Sequence, residues 1–139
     1  MSFSNAMENS ILNLIFSGTS FPIVSPYPPL SVGLCTASPT DAGTGASCNE
    51  VPHIYGYERA STIVSDWGGA SNGLVVNDVA IVFPEALASW GMVTHFAIFN
   101  EQVYGTGDML IWGPLTIPKE IALGSSPRFN IDGMGANLD

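Results

Sequence analysis

N-D-V-A-I-V-F-P-E-A-L-A-S-W-G-M-V-T-H-F-A-I-F-N-E-Q-V-Y-G-T-G-D-M-L-I-W-G-P-L, residues 77–115, carries three apolar segments separated by short polar or glycine-bearing breaks. The first, 79–83, is apolar and rich in β-branched residues, and Pro84 ends it. The second, 93–99, alternates: Val93, His95, Ala97 and Phe99 point one way, and Thr94, Phe96 and Ile98 the other. Both faces carry bulk, which predicts a strand covered on both sides. The break at 101–108 contains Gly105 and Gly107 and leads into the third segment, 109–112. Two core strands with a glycine-containing connection read as a hairpin. This pattern places the centre of an all-β domain here.

Upstream, 74–76 is a short strand bounded by Asn72-Gly73 and Asn77-Asp78, and Trp67-Gly68-Gly69 is a turn. The span 53–64 reads as a strand that opens with Tyr55 and Tyr57 and holds Arg59. An arginine in an apolar sheet must find a partner or reach water. A strand at 30–36, with Val32 and Leu34 on one face, precedes a long loop of small and turn residues at 37–51. A loop of that length without structure of its own is functional or mobile as a rule. Pro22, Pro26, Pro28 and Pro29 make 21–29 an extended connector, because proline fixes φ and lacks a donor.

The one amphipathic helix is expected over 4–17, with Asn5 as its cap and Glu8 three residues on. Met7, Ile11, Leu14 and Ile15 share a face, Leu12 and Phe16 lie beside it, and Ser17-Gly18 stops it. Downstream, 85–89 forms a turn, 117–123 and 128–131 are short strands, and Gly133 and Gly135 break the pattern. Short strands at regular spacing, without alternating long helices, predict a single-domain antiparallel β-sandwich or jelly-roll-like barrel with an N-terminal α-helix. The expected organisation is an arm at 1–29, helix plus connector, and a β-sandwich domain at 30–139.

The 139 residues suit one domain and suffice for a core without disulfides or metal. Charged residues make up only 11% against 46% apolar, too few to decorate a free surface, so part of the surface is expected to meet protein. The net charge is −9, and only Arg59, Lys119 and Arg128 are basic. Phosphate recognition needs several cations, so neither nucleic acid nor an anionic membrane is an expected partner. No apolar run reaches the ~18 residues of a membrane span, and no basic segment precedes 11–16 as a secretory signal would require. Cys35 and Cys48 are close enough in sequence to form a loop-closing disulfide under oxidation, and are expected as thiols in a reducing cytosol.

The catalytic inventory is thin. His95 lies on a strand among large apolar neighbours and reads as a sheet residue, and no serine sits in a nucleophile elbow. Asp41, Glu50, Asp66 and Asp78 are loop acids whose spacing defines no acid–base pair. Gly105-Thr106-Gly107-Asp108 lacks the third glycine and following helix of a nucleotide loop. No zinc or calcium ligand series is present. Trp67, Trp90 and Trp112 with Tyr27, Tyr55, Tyr57 and Tyr104 could line a sugar platform, but Trp90 and Trp112 sit in strand patterns that favour core packing. No catalytic, cofactor-binding or metal residue is therefore assigned.

S-V-G-L-C-T-A-S-P-T-D-A-G-T-G-A-S-C-N-E-V at 31–51, with G-Y-E-R-A at 56–60, resembles a family of small tailed-bacteriophage virion proteins. The likeness continues through Asn77, Phe83-Pro84, W-G-M-V-T-H-F-A-I-F at 90–99, W-G-P-L-T at 112–116 and Lys119, and N-A-M-E-N-S-I-L-N at 5–13 resembles the family's start. Gly124-Ser125 departs from the family's usual Gly-Asp, and 22–29 is richer in proline. The resemblance implies a structural virion protein and no enzyme or cofactor. It implies first a capsid decoration (cement) protein that binds the outer capsid surface and stabilises the head by bridging subunits. Its partners would be the major capsid protein and itself, as a dimer or trimer. It would reside in the host cytoplasm during assembly and then on the virion. Some members are labelled tail-fiber-like, so a tail- or fiber-associated protein is the alternative, with a host-glycan-binding module behind it. The natural contact elements are the helix, the connector and the long loop, with Met7, Ile11, Leu14, Ile15, Pro22, Pro26, Pro28, Pro29, Asp41 and Glu50 as candidate interface residues.

Overall fold

In chain order the elements are β1 (Ser2–Phe3), α1 (Asn5–Ser17), β2 (Ser31–Cys35), β3 (Ala60–Ser61), a 3-10 turn (Val64–Asp66), β4 (Leu74–Val76), β5 (Ile81–Val82), β6 (Gly91–Phe99), β7 (Met109–Ile121), β8 (Arg128–Phe129) and β9 (Gly135–Asn137). They come from a computed structural model that describes residues 1–18 and 30–137. The expected proline connector, with Pro22, Pro26, Pro28 and Pro29, lies outside the described residues.

The W-G-M-V-T-H-F string becomes β6, the middle strand of a five-stranded antiparallel sheet ordered β1-β7-β6-β2-β3. β6 pairs with β2 from Ser31↔Phe99 to Cys35↔His95, and with β7 across the hairpin that the glycine-bearing break implied. Two antiparallel ribbons, β4-β9 and β5-β8, complete a sandwich-like all-β domain with one N-terminal helix. The main sheet stays open, with edges of two residues each, β1 and β3. Such short edges offer little template for unwanted pairing.

Each face of the sheet carries its own core. Val32, Leu34, Val93, Phe96 and Ile98 pack with Ile81, Phe83 and Met134 under the ribbons, and Phe129 bridges edge-on to Phe83 and Phe96. Cys35, Ala97, Phe99 and Met109 form the second core, together with Cys48 from the long loop and Trp112. β6 is thus covered on both faces along its second half, as its double-sided bulk predicted.

One detail of the alternation differs. Val93 shares the core of Phe96 and Ile98 rather than that of Ala97 and Phe99. The ladder shifts register there: Val93 faces Lys119, whereas His95 faces Pro114. Residues 115–118 of β7 are surplus opposite Thr94 and lift out of the ladder, which reverses the face of everything before the irregularity. Pro114 precedes them and Pro118 is the last of them, and neither proline has an N–H to lose from the pairing.

The strand expected over 53–64 is corrected. Only Ala60–Ser61 is extended in the sheet, and Tyr55 (φ 53°) with Gly56 (φ 80°) reverses the chain before it. That turn swings Tyr57 and Arg59 inward, where both are buried. The helix cap is also corrected from Asn5 to Ser4, whose Oγ accepts the Met7 N–H at 3.2 Å and donates to the Met109 carbonyl. The stop is where it was read: Gly18 adopts φ 61°, the left-handed conformation that glycine enters without a Cβ penalty.

Candidate functional site

The densest polar cluster is interior. Arg59 reaches Glu50 with Nε at 2.9 Å from Oε1 and Nη2 at 2.7 Å from Oε2. Its other N–H groups go to the carbonyls of Gly45, Glu101, Val103 and Thr106, between 3.0 and 3.2 Å. The guanidinium lies 3.6 Å above the Phe99 ring centroid. Tyr57 donates to Glu50 Oε1 at 2.8 Å and accepts the Leu34 N–H at 2.9 Å. The Arg59 and Glu50 side chains are 0% and 3% exposed, so the pair is shielded from solvent. A fork-to-fork pair with every donor used is a fastening. It ties the 37–51 loop to the β6–β7 connection, and the close approach needs Gly45, where a Cβ would sit 1.9 Å from the Thr106 oxygen. The long loop is thereby packed against the sheet, with Pro39, Cys48 and Val51 buried.

Beside this pair lie Cys35 and Cys48, both buried free thiols. Cys35 donates to Cys48, which pushes the Cys35 pKa up, with burial adding to it, and pulls that of Cys48 down. Burial and then the charge of Glu50 hold the Tyr57 hydroxyl well above its ordinary 10.0. Among the described residues no three His, Cys, Asp or Glu side chains converge as a metal site, and no helix is long and apolar enough to cross a membrane.

The surface is where the chain is unusual. α1 packs on β1 and β7 through its Ser10 side, with Met7 and Ile11 half-buried. Its later turns are apolar on the other side as well: Leu12, Ile15 and Phe16 are 52%, 64% and 81% exposed, and Leu14, on the Ser10 side, is still 47% exposed. A groove of about 540 Å³ opens on the other side of the β6–β7 irregularity, floored by Phe83, Phe96, Phe129 and Met134. Ile117, 77% exposed, stands at its rim with Lys119 and Arg128. The register shift builds this groove, because residues 115–118 leave the ladder there.

The structure separates the candidate interface residues. Leu14 and Ile15 are exposed, and Met7 and Ile11 face the sheet in part. Asp41 fastens the N-terminus: its Oδ1 accepts from Ser2 Oγ at 2.8 Å and Trp112 Nε1 at 3.0 Å, and its carbonyl from the Asn5 N–H at 2.9 Å. Glu50 is turned inward onto Arg59. The three indole N–H groups all donate within the chain, Trp67 to Thr62, Trp90 to Tyr55 and Trp112 to Asp41, so the tryptophans serve packing. His95 is half-buried, bonded to Thr94 through Nδ1 at 2.8 Å, with its ring centroid 6.0 Å from that of Trp112. Sequence reasoning missed the groove. Its one legible signal was the pair of prolines at 114 and 118 inside an otherwise apolar strand pattern.

Residues 2–137 match the model of the podophage GP4 fiber I protein gp80 family, a family of phage virion structural proteins. No curated protein matches the chain.

Proposed function

The chain belongs to the podophage GP4 fiber I protein gp80 family, and from that membership we propose that it is a fiber-associated structural component of the virion. The family match carries this reading. The character of the surface supports it: a net charge of −9 on a chain with 11% charged residues leaves broad neutral areas for protein contact. The accessible features include an apolar helix face and an apolar groove, while the convergent Arg59, Glu50 and Tyr57 side chains are buried. Such a chain acts by holding neighbours in place. Capsid decoration, the first implication of the family resemblance, is the competing location, since an exposed apolar arm would also suit a clamp over capsid subunits.

Stoichiometry separates the two. Quantitative mass spectrometry of purified virions should give a copy number that tracks the fiber or tail proteins. A ratio that tracks the major capsid protein would replace the fiber reading with decoration.

A further inference from the structure

The helix face and the groove complement each other, and we propose that α1 of one copy docks in the groove of a second copy. This rests on the reading that the chain works through assembly contacts, but not on where in the virion it sits. Leu12, Ile15 and Phe16 stand at i, i+3 and i+4, the anchor spacing of a helix laid into an apolar groove. They point away from the sheet on which α1 already packs, so the chain's own core leaves them unused. The groove supplies a matching floor of Phe83, Phe96, Phe129 and Met134.

The occupant is not the chain's own helix. The first turn of α1 is bolted elsewhere: Ser4 N–H to the Leu110 carbonyl at 3.0 Å, Ser4 Oγ to the Met109 carbonyl, and Asn5 N–H to the Asp41 carbonyl at 2.9 Å. No residue of α1 lines the groove.

Charge favours a second copy. Of the three basic residues, Arg59 is locked to Glu50, and the other two, Lys119 and Arg128, both line the groove. α1 has Glu8 in its first turn, no basic residue in its last turn, and carbonyl ends that carry the negative pole of its dipole. Two chains of charge −9 repel over most orientations. This contact sets a helix that carries Glu8 and no cation against Lys119 and Arg128 of the other copy. Helix and groove are different surfaces, so the contact closes either in a two-fold dimer that exchanges both helices, which is isologous, or head to tail around a ring.

Subunit complementation with the full chain tests this. Phe16→Asp spoils the helix and Ile117→Asp the groove; both positions are solvent-exposed, and unchanged thermal unfolding of each variant checks the fold. In sedimentation equilibrium the wild type should self-associate, and each variant alone should dissociate at least ~10-fold more readily, as the loss of an interface anchor does. Mixing the two variants should restore a complex, because the intact helix of Ile117→Asp meets the intact groove of Phe16→Asp. A monomeric wild type, variants that assemble like wild type, or a mixture that stays monomeric would each overturn the proposal. None of these results depends on copy number in the virion, so failure here is distinct from failure of the fiber assignment.

Discussion

Arg59 is the side chain on which the interior most depends. A buried pair is strongly destabilising to break, because the remaining partner is left charged and desolvated. Arg59→Ala should cost about 3–5 kcal/mol in urea unfolding, and the double variant Arg59→Leu with Glu50→Leu should recover part of that loss. A single variant with an unmoved midpoint would remove the fastening role. Tyr57 sets the alkaline limit. Its pKa is raised in the folded state, so its contribution is present below its ordinary 10.0 and is lost as pH climbs beyond it. Cys35 acts with the same sign and Cys48 with the opposite one. Urea midpoints should therefore fall as pH rises past 10.0, and Tyr57→Phe should flatten that fall while lowering stability at neutral pH. At this scale the sequence was half legible. It showed that Arg59 needed a partner, but Glu50 was read as a loop acid and candidate interface residue, because eight intervening positions of turn-rich chain do not reveal which way a side chain points.

Elements were read best where one periodicity ran unbroken. β2, β4, β6 and the β6–β7 hairpin are where alternation placed them, and the stop of α1 follows from Gly18. The misreadings share a cause: a local signal lost to a tertiary contact. Ser4 caps the helix because its hydroxyl also reaches Met109, so Ser4→Ala should cost about 1 kcal/mol in thermal unfolding while Asn5→Ala costs little. The segments read separately at 109–112 and 117–123 join as the single strand β7, whose pairing slips between them. The two ribbons meet at Asn77, fully buried, whose Nδ2 donates to Val79 and Asn130 at 2.9 and 2.7 Å and whose Oδ1 accepts the Met134 N–H at 2.8 Å. Asn77→Ala orphans those groups and should lower stability by about 2–3 kcal/mol, measured by chemical denaturation. His95→Ala should lower the melting temperature, since the ring packs beside Trp112 on the second core; a melt that did not move would show the ring to be dispensable there.

For the whole molecule, the sandwich-like β domain positions its surfaces, and its densest polar cluster is buried. The low charge content raised the expectation of a contact surface, but the groove proposed for it was not legible in the sequence, since it exists only after the sheet has formed with its β7 irregularity. The exposed side of α1 and the rim of the groove hold Phe16 and Ile117, the two most exposed large apolar side chains among the described residues. If the chain is a structural part of the fiber, as proposed, electron cryo-microscopy of the intact virion at subunit resolution should place the five-stranded sheet and its ribbons at the fiber or its attachment to the tail; the same density distributed over the capsid lattice would rule that position out.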